Sequence, residues 1–294
     1  MTKDKNERFH EKLSRIKKEI NEKHELHEKM GMTNEIKGFQ MKKTISGIKG
    51  LDPLIDGGFL ESHSILVCGE PGTGKTIFGL QFLYNGVHDA DENGLFVSVE
   101  DHPNRLGYYA NAFGWDFFKA QDQRKIDILR VPIDHRGYKI VDAISERAEE
   151  IGAKRIVIDS LSSININAKM FDLPLRDQPD PTGTIKGKIL HTAGYVPFED
   201  MQQFTYLFIS RIADIGATTL FLTDTPPGTA ALTKDGVSEF VCDGVIHLQL
   251  HDTSKNVSRT LTVKKMRGAN MVPGMNSLRF TKTGLEVGEF KAFY

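Results

Sequence analysis

The chain has 294 residues, 39% hydrophobic and 26% charged, and its 38 Lys and Arg against 39 Asp and Glu leave a formal net charge of −1. That balance excludes a uniformly basic nucleic-acid coat, and no apolar run approaches the ~20 residues that span a bilayer. Met1-Thr2-Lys3-Asp4-Lys5 leads into charge and not into an apolar signal core, so a cytoplasmic protein without a membrane partner is expected. Charge is spread unevenly: residues 1–43 hold 12 Lys and Arg against 8 Asp and Glu, an arm of +4, and the remaining 26 against 31 make the body −5. Cys68 and Cys242 have no framework or metal-ligand spacing and read as small buried hydrophobes.

In chain order, Phe9, Leu13, Ile16, Ile20, His27 and Met30 recur at steps of three and four on a charged background, interrupted at Lys23, and predict a solvated amphipathic helix over 7–30. A linker through Gly31 and Gly38 follows, so the arm of 1–43 precedes a body at 44–294. There, strands predicted at Ser64–Cys68, Leu95–Val99, Ile126–Arg130 and Arg155–Ile158 alternate with helices at Lys75–Val87, Pro103–Phe113 and along Ile140, Ile144, Ala148 and Ile151. A segment over about 164–198 fits neither period and is rich in Pro and Gly, the mark of an insert that is either functional or disordered. Beyond it, a helical face of Phe204, Leu207, Phe208, Ile212 and Ile215 leads to a strand at Thr218–Leu222. Closely spaced strands at Val245–Leu250, Thr260–Lys265, Ser277–Phe280 and Leu285–Val287 then predict an antiparallel extension on a parallel α/β core.

Gly69-Glu70-Pro71-Gly72-Thr73-Gly74-Lys75-Thr76 matches G-x-x-x-x-G-K-[ST] between a predicted strand and a predicted helix, the setting of a phosphate-binding loop. Backbone N–H groups from Gly69 through Ile77 would cradle phosphate at a helix N-terminus. Lys75 would reach the β and γ phosphates, and the Thr76 hydroxyl would hold Mg²⁺. Two further strands end in acids. Arg155-Ile156-Val157-Ile158-Asp159 puts Asp159 at the carboxyl edge of the sheet as a second metal-positioning group, and Leu95-Phe96-Val97-Ser98-Val99 ends in Glu100-Asp101. A carboxylate there can activate water in line with the γ phosphate; Glu100 is the first candidate and Asp101 the second.

These motifs occur together with Thr44-Ile45-Ser46-Gly47-Ile48-Lys49-Gly50-Leu51-Asp52, Gly57-Gly58, Phe113-Gly114-Trp115-Asp116 and Lys265-Met266-Arg267-Gly268. The ordered set resembles a single KaiC domain of the RecA-type ATPase superfamily over nearly all of 44–290. The resemblance implies a RecA-like P-loop NTPase core: a mostly parallel twisted sheet flanked by helices, binding ATP with Mg²⁺ and hydrolysing it in a homo-oligomer, a hexameric ring, in service of an unknown protein partner. It also implies that Lys265 and Arg267 reach the γ phosphate of a neighbouring subunit; two apart on a predicted strand, they share one face.

Two other functions bear on the resemblance. An autokinase of this type phosphorylates an adjacent Ser-Thr pair, whose positions hold Glu239 and Phe240 here, with Ser238 and Thr225 as the remaining hydroxyls nearby. A DNA-dependent, recombinase-like ATPase needs clustered cations, and residues 167–205 carry Lys169, Arg176, Lys186 and Lys188 against five acids. Hydrolysis without DNA is the favoured expectation.

Overall fold

The computed structural model describes residues 42–133, 137–171, 198–253 and 256–290. The helix predicted over 7–30 and residues 172–197 of the insert lie outside the described residues. A short hairpin of β1 (Lys43–Thr44) and β2 (Phe59–Leu60) opens the described chain. The order is then β3 (Ser64–Gly69), α1 (Lys75–Ala90), β4 (Gly94–Ser98), α2 (Pro103–Asn111), α3 (Phe117–Asp122), β5 (Ile126–Arg130), α4 (Ile140–Ile151), β6 (Arg155–Asp159) and α5 (Leu161–Ile166). It continues with α6 (Phe198–Ala213), β7 (Thr218–Asp224), α7 (Ser238–Val241), β8 (Gly244–Thr253), β9 (Asn256–Met266), β10 (Met275–Thr281) and β11 (Gly284–Glu289).

Nine strands form one sheet in the order β11-β10-β9-β8-β3-β7-β6-β4-β5. From β8 to β5 every pairing is parallel, and β9, β10 and β11 add antiparallel strands beyond β8, the expected mixed architecture. Parallel strands need cover on both faces and so read as continuous apolar runs. Every residue of β3 is buried. Ile65 and Val67 pack with Phe78, Phe82 and Leu83 of α1 on one face; Leu66 and Cys68 join the cluster of Phe204, Phe208 and Ile212 of α6 on the other. Each such side chain contributes about 1.5–3 kcal/mol on burial. Cys68 and Cys242 are both free and buried, as expected from their isolation.

Several local expectations change. The helix from Pro103 stops at Asn111, because the chain turns through Gly114 at φ 79°. The residues after it form α3, capped by Asp116, whose Oδ1 accepts from the Lys119 amide at 3.0 Å. The insert also begins later than its composition suggests. Residues 161–166 are helical, and Phe171 is 6% exposed and stacks on Phe204 with ring centroids 6.2 Å apart.

Parallel pairing fixes where the chemistry lies. Gly69 is level with Asp224, and Asp159 is level with Leu222 on one side and Ser98 on the other, so the loops leaving β3, β7, β6 and β4 share one edge. β9 runs back: Met266 pairs with Gly244, which is level with Ile65, so the end of β9 belongs to the opposite edge. At that opposite edge Arg155, 0% exposed, donates to Glu92 Oε2 at 2.6 Å and to the carbonyls of Ile45 and Phe82 at 2.9 and 3.0 Å.

Candidate active site

The loop from Gly69 to Thr76 leaves β3 and enters α1 with Glu70, Pro71 and Gly72 exposed and Thr73 buried. Thr73 closes the turn, its hydroxyl donating to Glu70 O at 2.8 Å. Gly72 and Gly74 have φ of 81° and 107°, which side chains with a Cβ rarely adopt. At Gly74 a Cβ would also stand 2.9 Å from Phe280 Cζ. These glycines turn the chain so that α1 starts at Lys75 with its N-terminal amides toward the shared edge; Ile77, one residue further, packs against the core.

Lys75 is 9% exposed and its ammonium is fully engaged: Nζ donates to Gly69 O at 2.8 Å and Glu70 O at 3.1 Å, and pairs with Asp224 Oδ1 at 3.0 Å. Thr76 Oγ1 donates to Asp159 Oδ2 at 2.7 Å, joining the loop to the end of β6. Burial pushes the Asp159 carboxyl up to about 6; the Thr76 hydrogen bond opposes the shift, and the Glu100 charge adds to it. Residues 83 apart in sequence thus meet as a hydroxyl and a carboxylate of elevated basicity, a hard-oxygen pair.

Glu100 and Asp101 separate cleanly. Glu100 Oε1 accepts from the hydroxyls of Ser160, at 3.2 Å, and Ser163, which turns it toward the residues following Asp159. The Val99 amide donates to Asp159 O at 3.0 Å, fixing the two strand ends together. Asp101 instead turns toward α2 and pairs with Arg105 at 3.0 Å, with its own amide held by Ser98 Oγ. Beside Glu100 lies a cavity of about 710 Å³, whose lining includes Arg130, Val131, Ser163 and Asn167.

Lys265 and Arg267 are elsewhere. They sit at the end of β9, at the edge opposite the loop, and Arg267 is one residue past the strand. Their heads nevertheless converge: Lys265 Nζ donates to the carbonyls of Glu239, Phe240 and Cys242 at 3.0, 3.1 and 2.6 Å, and Arg267 to Phe240 O and Asp243 Oδ1, both at 3.1 Å. Burial, then the Arg267 charge, holds the Lys265 ammonium below the ordinary lysine range. Val245, the partner of Lys265, is three residues below Leu248, which is level with Gly69, an axial separation of ~10 Å.

Three groups at the edge were not foreseen. Asp224 ends β7 as Asp159 ends β6, so the run Thr218-Thr219-Leu220-Phe221-Leu222-Thr223-Asp224 carried the same signal. Ser160 follows Asp159 directly in sequence, and Ser163 lies one helical turn further on. Arg259 had no local signal: it reaches from β9 to donate to Gly72 O at 3.0 Å, its guanidinium 4.8 Å over the Phe280 ring.

Comparison with known proteins agrees with this arrangement. The family described as ATPase: KaiC matches residues 44–177 and 199–292. The circadian clock oscillator protein KaiC of Synechococcus elongatus is 30% identical over 249 residues, covering 82% of this chain and 43% of that protein. The chain therefore spans less than half the length of that relative. UPF0273 protein MJ1359 of Methanocaldococcus jannaschii is 29% identical, with 84% of this chain and 96% of that one covered. Among solved structures, the KaiC-like protein PH0186 of Pyrococcus horikoshii superposes with a TM-score of 0.67 at 29% identity, over 84% of this chain and 99% of that one. The nine-stranded mixed sheet, the glycine loop opening α1 and the matched span together place this chain in the KaiC ATPase family.

Proposed function

We propose that the loop of residues 69–77 binds ATP with Mg²⁺ and that this chain hydrolyses it. The observation that carries the reading is the 2.7 Å contact of Thr76 Oγ1 with Asp159 Oδ2 beside the ammonium of Lys75, at the N-terminus of a 16-residue helix. Backbone amides and the helix dipole favour the polyphosphate, and Lys75 neutralises its β and γ oxygens. Among the described residues no cluster of three or more His, Cys, Asp or Glu could cage a metal. A hydroxyl and one basic carboxylate instead suit Mg²⁺, which keeps several waters and completes its shell with phosphate. Bound there, the ion would neutralise charge on the transferring phosphoryl group.

Glu100, held by Ser160 and Ser163, takes the proton from the attacking water, and Asp101, tied to Arg105, positions the start of α2. Lys265 and Arg267 act on a neighbouring subunit of a homo-oligomer, a hexameric ring. What supports this is their shared cluster at the sheet edge away from their own loop, beyond the reach of their own phosphate site.

Binding separates these roles. Lys75→Ala should lose Mg·ATP by at least tenfold in equilibrium titration, and Asp159→Asn should retain nucleotide while losing most of the gain in affinity that Mg²⁺ confers. Unchanged ATP binding in Lys75→Ala would overturn the site assignment.

A further inference from the structure

Lys75 has three N–H donors, and three acceptors within the chain take them: Gly69 O, Glu70 O and Asp224 Oδ1. The two carbonyls are neutral backbone acceptors, at the end of β3 and the start of the loop. Asp224 is the one charged partner. A phosphate that takes this ammonium therefore competes with a carboxylate already 3.0 Å away.

The same carboxylate has a second cation. Its other oxygen, Oδ2, stands 3.9 Å from Lys234 Nζ. Lys234 is the one charged residue between Thr225 and Asp235. Both ends of that segment are fixed. The Thr225 amide donates to Gly69 O at 3.2 Å, and its hydroxyl to Leu232 O at 3.1 Å. Asp235 is 1% exposed, and its Oδ1 accepts from the amides of Val237 and Ser238 at 2.9 and 2.8 Å. Between these anchors residues 227–231 are exposed. The backbone of Asp224 is anchored, its amide donating to Ser162 Oγ on α5 at 2.8 Å.

We propose that Asp224 is the competing anion of the phosphate loop: polyphosphate displaces its carboxylate from Lys75, and the freed carboxylate closes on Lys234, so that nucleotide occupancy is transmitted to residues 225–235. This rests on the reading of the loop as a nucleotide site. It gives the chain a charged relay of two lysines and one aspartate, with one lysine reading phosphate and the other reporting it on an exposed segment.

The test uses the full chain, Mg²⁺ and a non-hydrolysable ATP analogue with an imido-linked γ phosphate. Removing the competing charge in Asp224→Asn should tighten analogue binding by roughly three- to tenfold, the range for a partly exposed charge-assisted contact. In the wild type the analogue should slow tryptic cleavage after Lys234 several-fold, because a paired ammonium is withheld from the protease; in Asp224→Asn it should not. Thermal unfolding of the variant within a few degrees of wild type establishes that it is folded. A second variant, Lys234→Gln, should bind the analogue several-fold more weakly than wild type, by about the factor of the protection, because the coupling is reciprocal; binding equal to wild type would overturn the relay. Weaker binding by folded Asp224→Asn, or equal protection of Lys234 with and without the Asp224 charge, would overturn the relay. Unchanged analogue binding in Lys75→Ala would instead overturn the nucleotide-site reading on which it rests.

Discussion

At the residue scale, the decisive contact is the one between Thr76 and Asp159, and its acid-base behaviour has a definite sign. The folded Asp159 carboxyl holds its proton up to about 6, well above the ordinary aspartate range, chiefly through burial. A group raised in this way adds stability while protonated and loses that contribution as pH rises through about 6. In EDTA, the melting temperature of the wild type should therefore rise relative to Asp159→Asn as pH falls from 7 toward 5; a constant difference would contradict the buried, basic carboxylate. Motif spacing singled out Lys75, Thr76 and Asp159 as candidates and ranked Glu100 ahead of Asp101. What it did not carry is the difference in their contacts, with Ser160 and Ser163 facing the first and Arg105 the second. Asp224 was legible by the rule used for Asp159, an apolar strand ending in an acid. Arg259 was not, because its contact with Gly72 spans 187 residues of sequence.

Among elements, the start of α1 is set by Gly74, whose φ of 107° strains any residue with a side chain and where a Cβ would also press on the tip of the Phe280 ring at 2.9 Å. Gly74→Ala should cost about 1–3 kcal/mol in denaturant unfolding and weaken nucleotide binding, since the loop must rotate to relieve the contact. Long strands and helices with a clear period were readable, and their ends moved by a few residues. Short elements were not: α3 and α5 have six residues each, less than two full turns, and are fixed by the caps Asp116 and Ser160 rather than by an apolar stripe. The hairpin of β1 and β2 has two residues a strand and exists through its packing on Thr218 and the core.

For the whole molecule, the two edges of the sheet have different work. One gathers the loop, Asp159, Glu100 and Asp224; the other holds Arg155, Lys265 and Arg267. Arg155 joins Ile45, α1 and β6 through a buried guanidinium, and Arg155→Met should cost roughly 3 kcal/mol by leaving Glu92 and two carbonyls without their partner. Chemical unfolding of the variant measures that loss. The opposite-edge position of Lys265 and Arg267 makes a prediction about assembly. Arg267→Ala and Lys75→Ala, each inactive alone, should regain part of their ATP turnover when mixed, because one retains an intact loop and the other an intact cation cluster. No recovery in a mixture shown by native mass to exchange subunits would contradict action between subunits. The resemblance carried the idea of a shared site; the physical separation within one chain is what spacing alone did not show.

The central claim, hydrolysis at this edge with Glu100 as the base, is tested most directly by single-turnover ATP hydrolysis of Glu100→Gln beside the wild type, with Mg·ATP binding measured on the same samples. The account predicts binding within about threefold of wild type and a rate lower by roughly 10²–10⁴-fold, the usual contribution of a general base. Hydrolysis by Glu100→Gln at the wild-type rate would contradict it.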